Sequence, residues 1–133
     1  MKAVSERYDG FIILIAEDNE ENYAYLKIAC TRAGFEVLHA KTGSEAVRLC
    51  AEHPEICLVL MDGMMPEMTG YEATIKIKQS MPSIPIVILT AFVSQTSINN
   101  AVVCGCNDYL AKPIGLNEIF MTIKKWVIKP VSP

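Results

Sequence analysis

Three short runs, FIILIA (11–16), ICLVLM (56–61) and IPIVILT (84–90), are apolar without the polar alternation of a half-exposed strand. Strands of that kind are covered on both faces, as in a parallel sheet sandwiched between helices. Two weaker runs, FEVLHA (35–40) and DYLA (108–111), bring the number of strand candidates to five. Segments of helical period follow each of them. Leu26, Ala29, Cys30 and Ala33 form an apolar stripe, and Gly34 is a stop signal. Ser44 is the expected cap of a second helix carrying Ala46, Leu49 and Cys50 and ended by His53-Pro54. A third helix is expected over 70–80 and a fourth over 94–104, stopped by Gly105. The last carries Leu116, Ile119, Phe120, Ile123, Trp126 and Val127. The pattern is βα repeated five times. It implies a doubly wound α/β fold, a (βα)5 parallel five-stranded sheet with helices on both faces and right-handed crossovers.

A chain of 133 residues, 51% of them hydrophobic, suits one domain with one core. The domain is expected over residues 11–128, with an N-terminal extension (1–10) and a C-terminal tail (129–133) that fray. A net charge of −3 gives no electrostatic footprint for nucleic acid. The apolar runs are too short to span a bilayer, and MKAVSERYDG lacks the apolar region of a signal peptide. Five cysteines make an odd number without framework spacing, and Cys104 and Cys106 are too close for a C-x-x-C motif. They read as reduced, mostly buried small apolar residues of a cytosolic protein.

Polar residues stand where the strong strands end. Glu17-Asp18 follows FIILIA, Asp62 follows ICLVLM, IPIVIL runs into Thr90-Ala91, and DYLA runs into Lys112-Pro113. The C-terminal edge of an open parallel sheet is where ligands bind. Three carboxylates gathered there repel each other unless a cation joins them, and Mg2+ suits an all-oxygen donor set. With Lys112 and Thr90 present, the arrangement is short of a dianionic phosphoryl group, and Asp62 is the candidate nucleophile.

IAEDN, LMDGMMPEMTG, ILTA and DYLAKP, in that order, resemble a response-regulator receiver domain, a CheY-like, flavodoxin-like family, over about residues 11 to 128. The resemblance implies the strand order 2-1-3-4-5 and a phosphoacceptor at Asp62. It implies direct binding of Mg2+ by Asp18, with Glu17 acting mainly through water and the backbone carbonyl of Met64 as a further ligand. Thr90 and Lys112 would contact the phosphoryl oxygens. Tyr109 would be the switch aromatic, Ala91 is small enough to let the Thr90 hydroxyl swing inward, and Lys112-Pro113 matches the family's cis peptide bond. Met64 and Phe92 occupy the two positions that flank the attacking water and tune the lifetime of the phosphoryl group. Neither orients a water, so slow self-dephosphorylation is expected. Ile114 stands where phenylalanine is frequent and Thr69 where aspartate is frequent.

The implied function is phosphoacceptance in a two-component phosphorelay. The donor would be a histidine kinase or a histidine phosphotransfer domain. Phosphorylation would shift populations at the surface of the fourth helix, fifth strand and fifth helix, where an output partner or a second copy would bind. The implied location is cytoplasmic, and AEDNEEN with Trp126 resembles receivers attached to hybrid sensor histidine kinases. No charge stands between Val93 and Asp108, and Val102 and Val103 cannot both join a buried stripe of Ile98, Ala101 and Cys104; one of them is the candidate partner contact.

Three other functions compete. A Mg2+-dependent phosphohydrolase with an aspartyl-phosphate intermediate wants a second acid two residues past the nucleophile, where Met64 stands. A nucleotide- or flavin-binding domain wants a glycine- or hydroxyl-rich first turn, where AEDNEEN is acidic. A docking receiver that is never phosphorylated has no need of the full acid, threonine and lysine set. Simpler readings of single residues are kept beside these. Glu17-Asp18 can serve as a solvated helix start, His39 and His53 as surface or strand-end residues, Met61 to Met68 as loop packing, and Trp126 as the anchor of the last helix.

Overall fold

The computed structural model describes residues 10–91 and 94–127. Strands β1 (Ile12–Ala16), β2 (Glu36–Ala40), β3 (Ile56–Asp62), β4 (Ile86–Thr90) and β5 (Asp108–Ala111) alternate with helices α1 (Glu20–Arg32), α2 (Gly43–Glu52), α3 (Gly70–Ser80), α4 (Gln95–Cys104) and α5 (Leu116–Trp126). All strand pairs are parallel and the sheet order is β2-β1-β3-β4-β5.

The sheet divides two apolar cores. On one side, Leu14, Ala16, Val59, Met61, Ile86 and Ile88 pack against α2, α3 and α4 through Ala46, Cys50, Ala73, Ile77, Ala101 and Cys104. On the other, Ile13, Ile15, Leu58, Leu60, Val87 and Leu89 pack against α1 and α5 through Leu26, Ala29, Cys30, Ile119 and Ile123. Burial of both strand faces is why these runs carry no polar alternation. The two-residue period slips once, where Ile12 pairs with Ile56 but Ile13 with Leu58, leaving Cys57 as the extra residue.

Local chemistry explains most helix ends. Asn19, Thr69 and Ser94 cap α1, α3 and α4, each accepting a hydrogen bond from the backbone N–H three residues on. The cap of α2 is Thr42 rather than the expected Ser44. Thr42 accepts from the Glu45 N–H at 3.1 Å, and Glu45 reaches back to the Lys41 N–H at 2.7 Å. That Thr-x-x-Glu pairing satisfies two amides at once, which Ser44 in the first turn cannot do. Gly105 ends α4 in the left-handed region, at φ 82°.

Both valines of α4 are exposed, Val102 at 73% and Val103 at 77%, where only one was expected to be. The helix buries only Ala101 and Cys104, and Ile98 is half-buried, so its apolar stripe is narrow. Trp126 does anchor the last helix: its indole N–H donates to Asp108 Oδ2 at 2.9 Å, joining the end of α5 to the start of β5. All five cysteines are free, and only Cys106 is partly exposed. Phe92 and the residues before 10 and after 127 lie outside the described residues, so the expectations placed on them are not addressed.

Candidate functional site

The strand order sets the site. β1, β3, β4 and β5 are successive neighbours, so the residues at their C-terminal ends meet along one edge. Glu17, Asp18 and Asp62 each offer a carboxylate oxygen, and these oxygens lie within 4.8 Å of one another. Glu17 and Asp62 are buried, while Asp18 faces solvent. Lys112 reaches across from the end of β5, with its Nζ 3.0 Å from Glu17 Oε1 and 3.5 Å from Asp62 Oδ1. Thr90 is buried at the end of β4, and its carbonyl accepts the Lys112 N–H at 2.7 Å, which joins the lysine to the neighbouring strand. Lys112-Pro113 is cis, and Ala91 is exposed beside the edge.

Burial pushes the Asp62 carboxyl up to about 6, and the Glu17 charge adds to the effect; Lys112 and the Met64 N–H, 3.2 Å away, act against it. Burial is the largest cause of that rise, and the Glu17 charge raises the carboxyl by more than the Lys112 charge lowers it. Glu17, Asp18 and Asp62 form an all-oxygen donor set of the kind that suits a hard divalent cation, and the mixture of buried and exposed carboxylates fits an ion that keeps some of its waters.

The loop after β3 is held by close backbone approach. A Cβ on Gly70 would lie 2.0 Å from the Asp62 carbonyl oxygen, so only glycine lets α3 start there. Gly63 stands at the bend that follows β3. Its φ is not positive, and a Cβ would meet the Tyr71 hydroxyl at 2.9 Å, so its bare Cα makes room for that ring. Met65 is buried beneath the loop and Met64 is 69% exposed. Tyr109 is half-buried against the core that contains α4.

Sequence reasoning passed over His39. Its Nε2 lies 2.7 Å from the Glu17 carbonyl oxygen, and its ring stacks on Tyr23 with centroids 3.6 Å apart. Glu17 is thereby fixed from both ends, by His39 at its backbone and by Lys112 at its carboxylate. A cleft of about 350 Å³ opens next to the acids, between α1 and the loop after β5, with Asn22, Tyr25, Lys112 and Ile114 in its walls.

A model of the response regulator receiver domain matches residues 13–124. The polar-differentiation response regulator DivK of Brucella ovis is 33% identical over 118 residues, 86% of this chain and 94% of DivK. The receiver domain of the sensor histidine kinase PA1611 from Pseudomonas aeruginosa PAO1, solved with a magnesium ion coordinated in its active-site cleft, is 34% identical. It superimposes with a TM-score of 0.80 over 88% of this chain and 97% of that one. The co-crystal of the Saccharomyces cerevisiae histidine phosphotransfer protein Ypd1 with the receiver domain of Ssk1 contains a chain 32% identical to this one. Its TM-score is 0.80, over 88% of each chain.

Proposed function

The chain belongs to the response regulator receiver domain family of two-component signalling, and from that premise we propose that it accepts a phosphoryl group on Asp62 from a phosphohistidine. The observation that carries the proposal is the convergence of Glu17, Asp18, Asp62 and Lys112 at one sheet edge, with the Asp62 carboxyl held near 6.

Asp18, Asp62 and the Met64 carbonyl would hold Mg2+, with Glu17 behind them. When bound, Mg2+ offsets negative charge on the transferring oxygens. The chain's own residues do the rest. Asp62, ionised, attacks the phosphorus with a carboxylate oxygen: the P–O bond forms, the P–N bond to the donor's histidine breaks, the imidazole leaves, and Asp62 ends as an acyl phosphate. Lys112 faces the same space and stabilises charge on a phosphoryl oxygen. Thr90 would donate its hydroxyl to another, and Ala91 leaves room for that movement. Tyr109, packed on the α4 side, is the proposed reporter of the change to α4, β5 and α5, the surface for an output partner or a second copy.

The phosphodonor class, a histidine kinase or a histidine phosphotransfer domain, is supported by the kinase receiver and by the Ypd1 co-crystal among the similar structures. The likeness to the PA1611 receiver supports attachment to a hybrid sensor kinase, and the likeness to DivK supports a separate regulator. Among the described residues no helix is long and apolar enough to cross a membrane; a cytoplasmic place is part of the proposal.

Intact mass after incubation with Mg2+ and acetyl phosphate tests the reading. Wild type is expected to gain one phosphoryl group, Asp62→Asn none, and a chelator to abolish the gain. Gain in Asp62→Asn equal to wild type would overturn the assignment. Turnover of acyl phosphate without a stable adduct would favour the phosphohydrolase, and no reaction with Mg2+ bound would favour a docking receiver.

A further inference from the structure

At the end of α4, two sulfurs converge on one backbone oxygen. Cys104 Sγ and Cys106 Sγ each lie 3.2 Å from the carbonyl oxygen of Ala101. Gly105 between them has φ 82°, and a Cβ there would meet nothing, so the glycine is needed for its backbone angle and not for space. A tripeptide folded back at its middle residue keeps its outer Cα atoms within the span of about 4.4–6.8 Å that a disulfide bridges.

A cation stands nearby. The Lys78 ammonium donates to the Ile84 carbonyl at 2.6 Å and to Asn107 Oδ1 at 2.7 Å, and Asn107 Oδ1 also accepts the Ile86 N–H. Those bonds hold it where its charge acts on both sulfurs. The remaining cysteines are in a different state. Burial pushes the Cys30 and Cys50 thiols up to about 12 and that of Cys57 up to about 11, which makes them poor nucleophiles. At Cys104 the direction reverses. A hydrogen bond from the Cys106 thiol, with help from backbone N–H groups and Lys78, holds it down to about 7 against burial. Sharing that hydrogen bond pushes Cys106 up. The pair therefore releases one proton easily and keeps the second; Cys104 is buried and Cys106, beside it, is partly exposed.

We propose that Cys104 and Cys106 are an oxidisable dithiol that reacts with a peroxide and closes to an intramolecular disulfide. The thiolate sulfur attacks one peroxide oxygen. The O–O bond breaks, hydroxide leaves, and a sulfenic acid remains on the first cysteine. The second sulfur then attacks the sulfenic sulfur. The S–S bond forms, the S–O bond breaks, and the departing hydroxide takes the remaining thiol proton as water. The pair loses two electrons and hydrogen peroxide gains them, giving two waters. The product clamps the last turn of α4 to the connection that leads into β5. The proposal does not depend on phosphorylation of Asp62.

The test is thiol counting on the full chain. Reduced protein is treated with hydrogen peroxide, quenched, unfolded, blocked with N-ethylmaleimide, weighed and peptide-mapped. Untreated protein should carry five adducts, one per cysteine. Oxidised protein should lose the two at Cys104 and Cys106, their peptide should be lighter by two hydrogens, and dithiothreitol should restore both. Cys106→Ser should instead gain oxygen at Cys104 with no disulfide. Five adducts after treatment, loss confined to Cys30, Cys50 or Cys57, or oxygen added at Cys104 in wild type without a disulfide would each overturn the proposal.

Discussion

Lys112 pairs with Glu17 at 3.0 Å, and the glutamate side chain is almost entirely buried. A buried carboxylate needs a partner, and this one is also a second contact for the cation that faces Asp62. Lys112→Met should therefore disturb two acids at once. The Asp62 carboxyl is expected to rise above its present value of about 6, because one of the groups holding it down is gone. Phosphorylation by acetyl phosphate should slow on the order of a hundredfold. Carbon-detected NMR titration of Asp62 and a mass time course check the two parts; an unmoved titration would show that Lys112 does not act on Asp62.

Asp62 carries a pH dependence of stability. Its carboxyl titrates at about 6 in the folded chain, against 3.8 as the ordinary value. The folded state thus binds more protons between those values. The contribution is fully present below about pH 4 and is lost as pH rises through about 6, a difference of at most about 3 kcal/mol. Asp62→Asn should accordingly melt above wild type at pH 7 without divalent ions, and the gap should close by pH 4. Mg2+ should narrow it at pH 7 by favouring the ionised wild type. Equal melting curves at pH 7 in chelator would refute this.

Gly70→Ala sets helix propensity against packing. Alanine favours a helix by about 1 kcal/mol, but its Cβ would stand 2.0 Å from the Asp62 carbonyl oxygen, which is backbone and cannot swing away. Packing should win, with a net loss of about 2 kcal/mol or more in stability, read from urea unfolding. Since the displaced atom belongs to Asp62, phosphorylation should slow as well. A variant as stable as wild type would mean that the loop yields easily.

Met64 is 69% exposed, two residues past Asp62, and its thioether is too weak an acceptor to orient water. Met64→Asn adds a donor and an acceptor there. The expected outcome is severalfold faster loss of the phosphoryl group, followed by mass after donor removal, with little change in melting temperature. An unchanged rate would remove Met64 from the control of lifetime.

The parts of this fold that rest on local pattern were legible in the sequence. Five strands were expected within one or two residues of where they lie, and 70–80 coincides with α3. The alignment of polar residues with strand exits pointed to the site because parallel topology brings those exits together. What could not be read depends on register or on turn geometry. His39 looked like a stray histidine until β2 was paired with β1, Ile15 opposite His39, which brings its ring to the Glu17 backbone. That the ring of Tyr71 excludes a side chain at Gly63 follows from packing across the loop, which the sequence does not show. The Cys104-Gly105-Cys106 spacing does not show that both sulfurs turn to the Ala101 carbonyl, because sequence distance says nothing about a left-handed middle residue.

The sheet that separates the two cores has a consequence for how such a chain can diverge. Among the described residues, side chains of α1 and α5 share no core with those of α2, α3 and α4. Substitutions on opposite sides should combine additively, each felt only by its own half. Asp62, Thr90 and Lys112 belong to neither core and stand at the strand ends. Selection can thus remodel α1 and α4 as separate modules, while the shared edge between them tolerates little change.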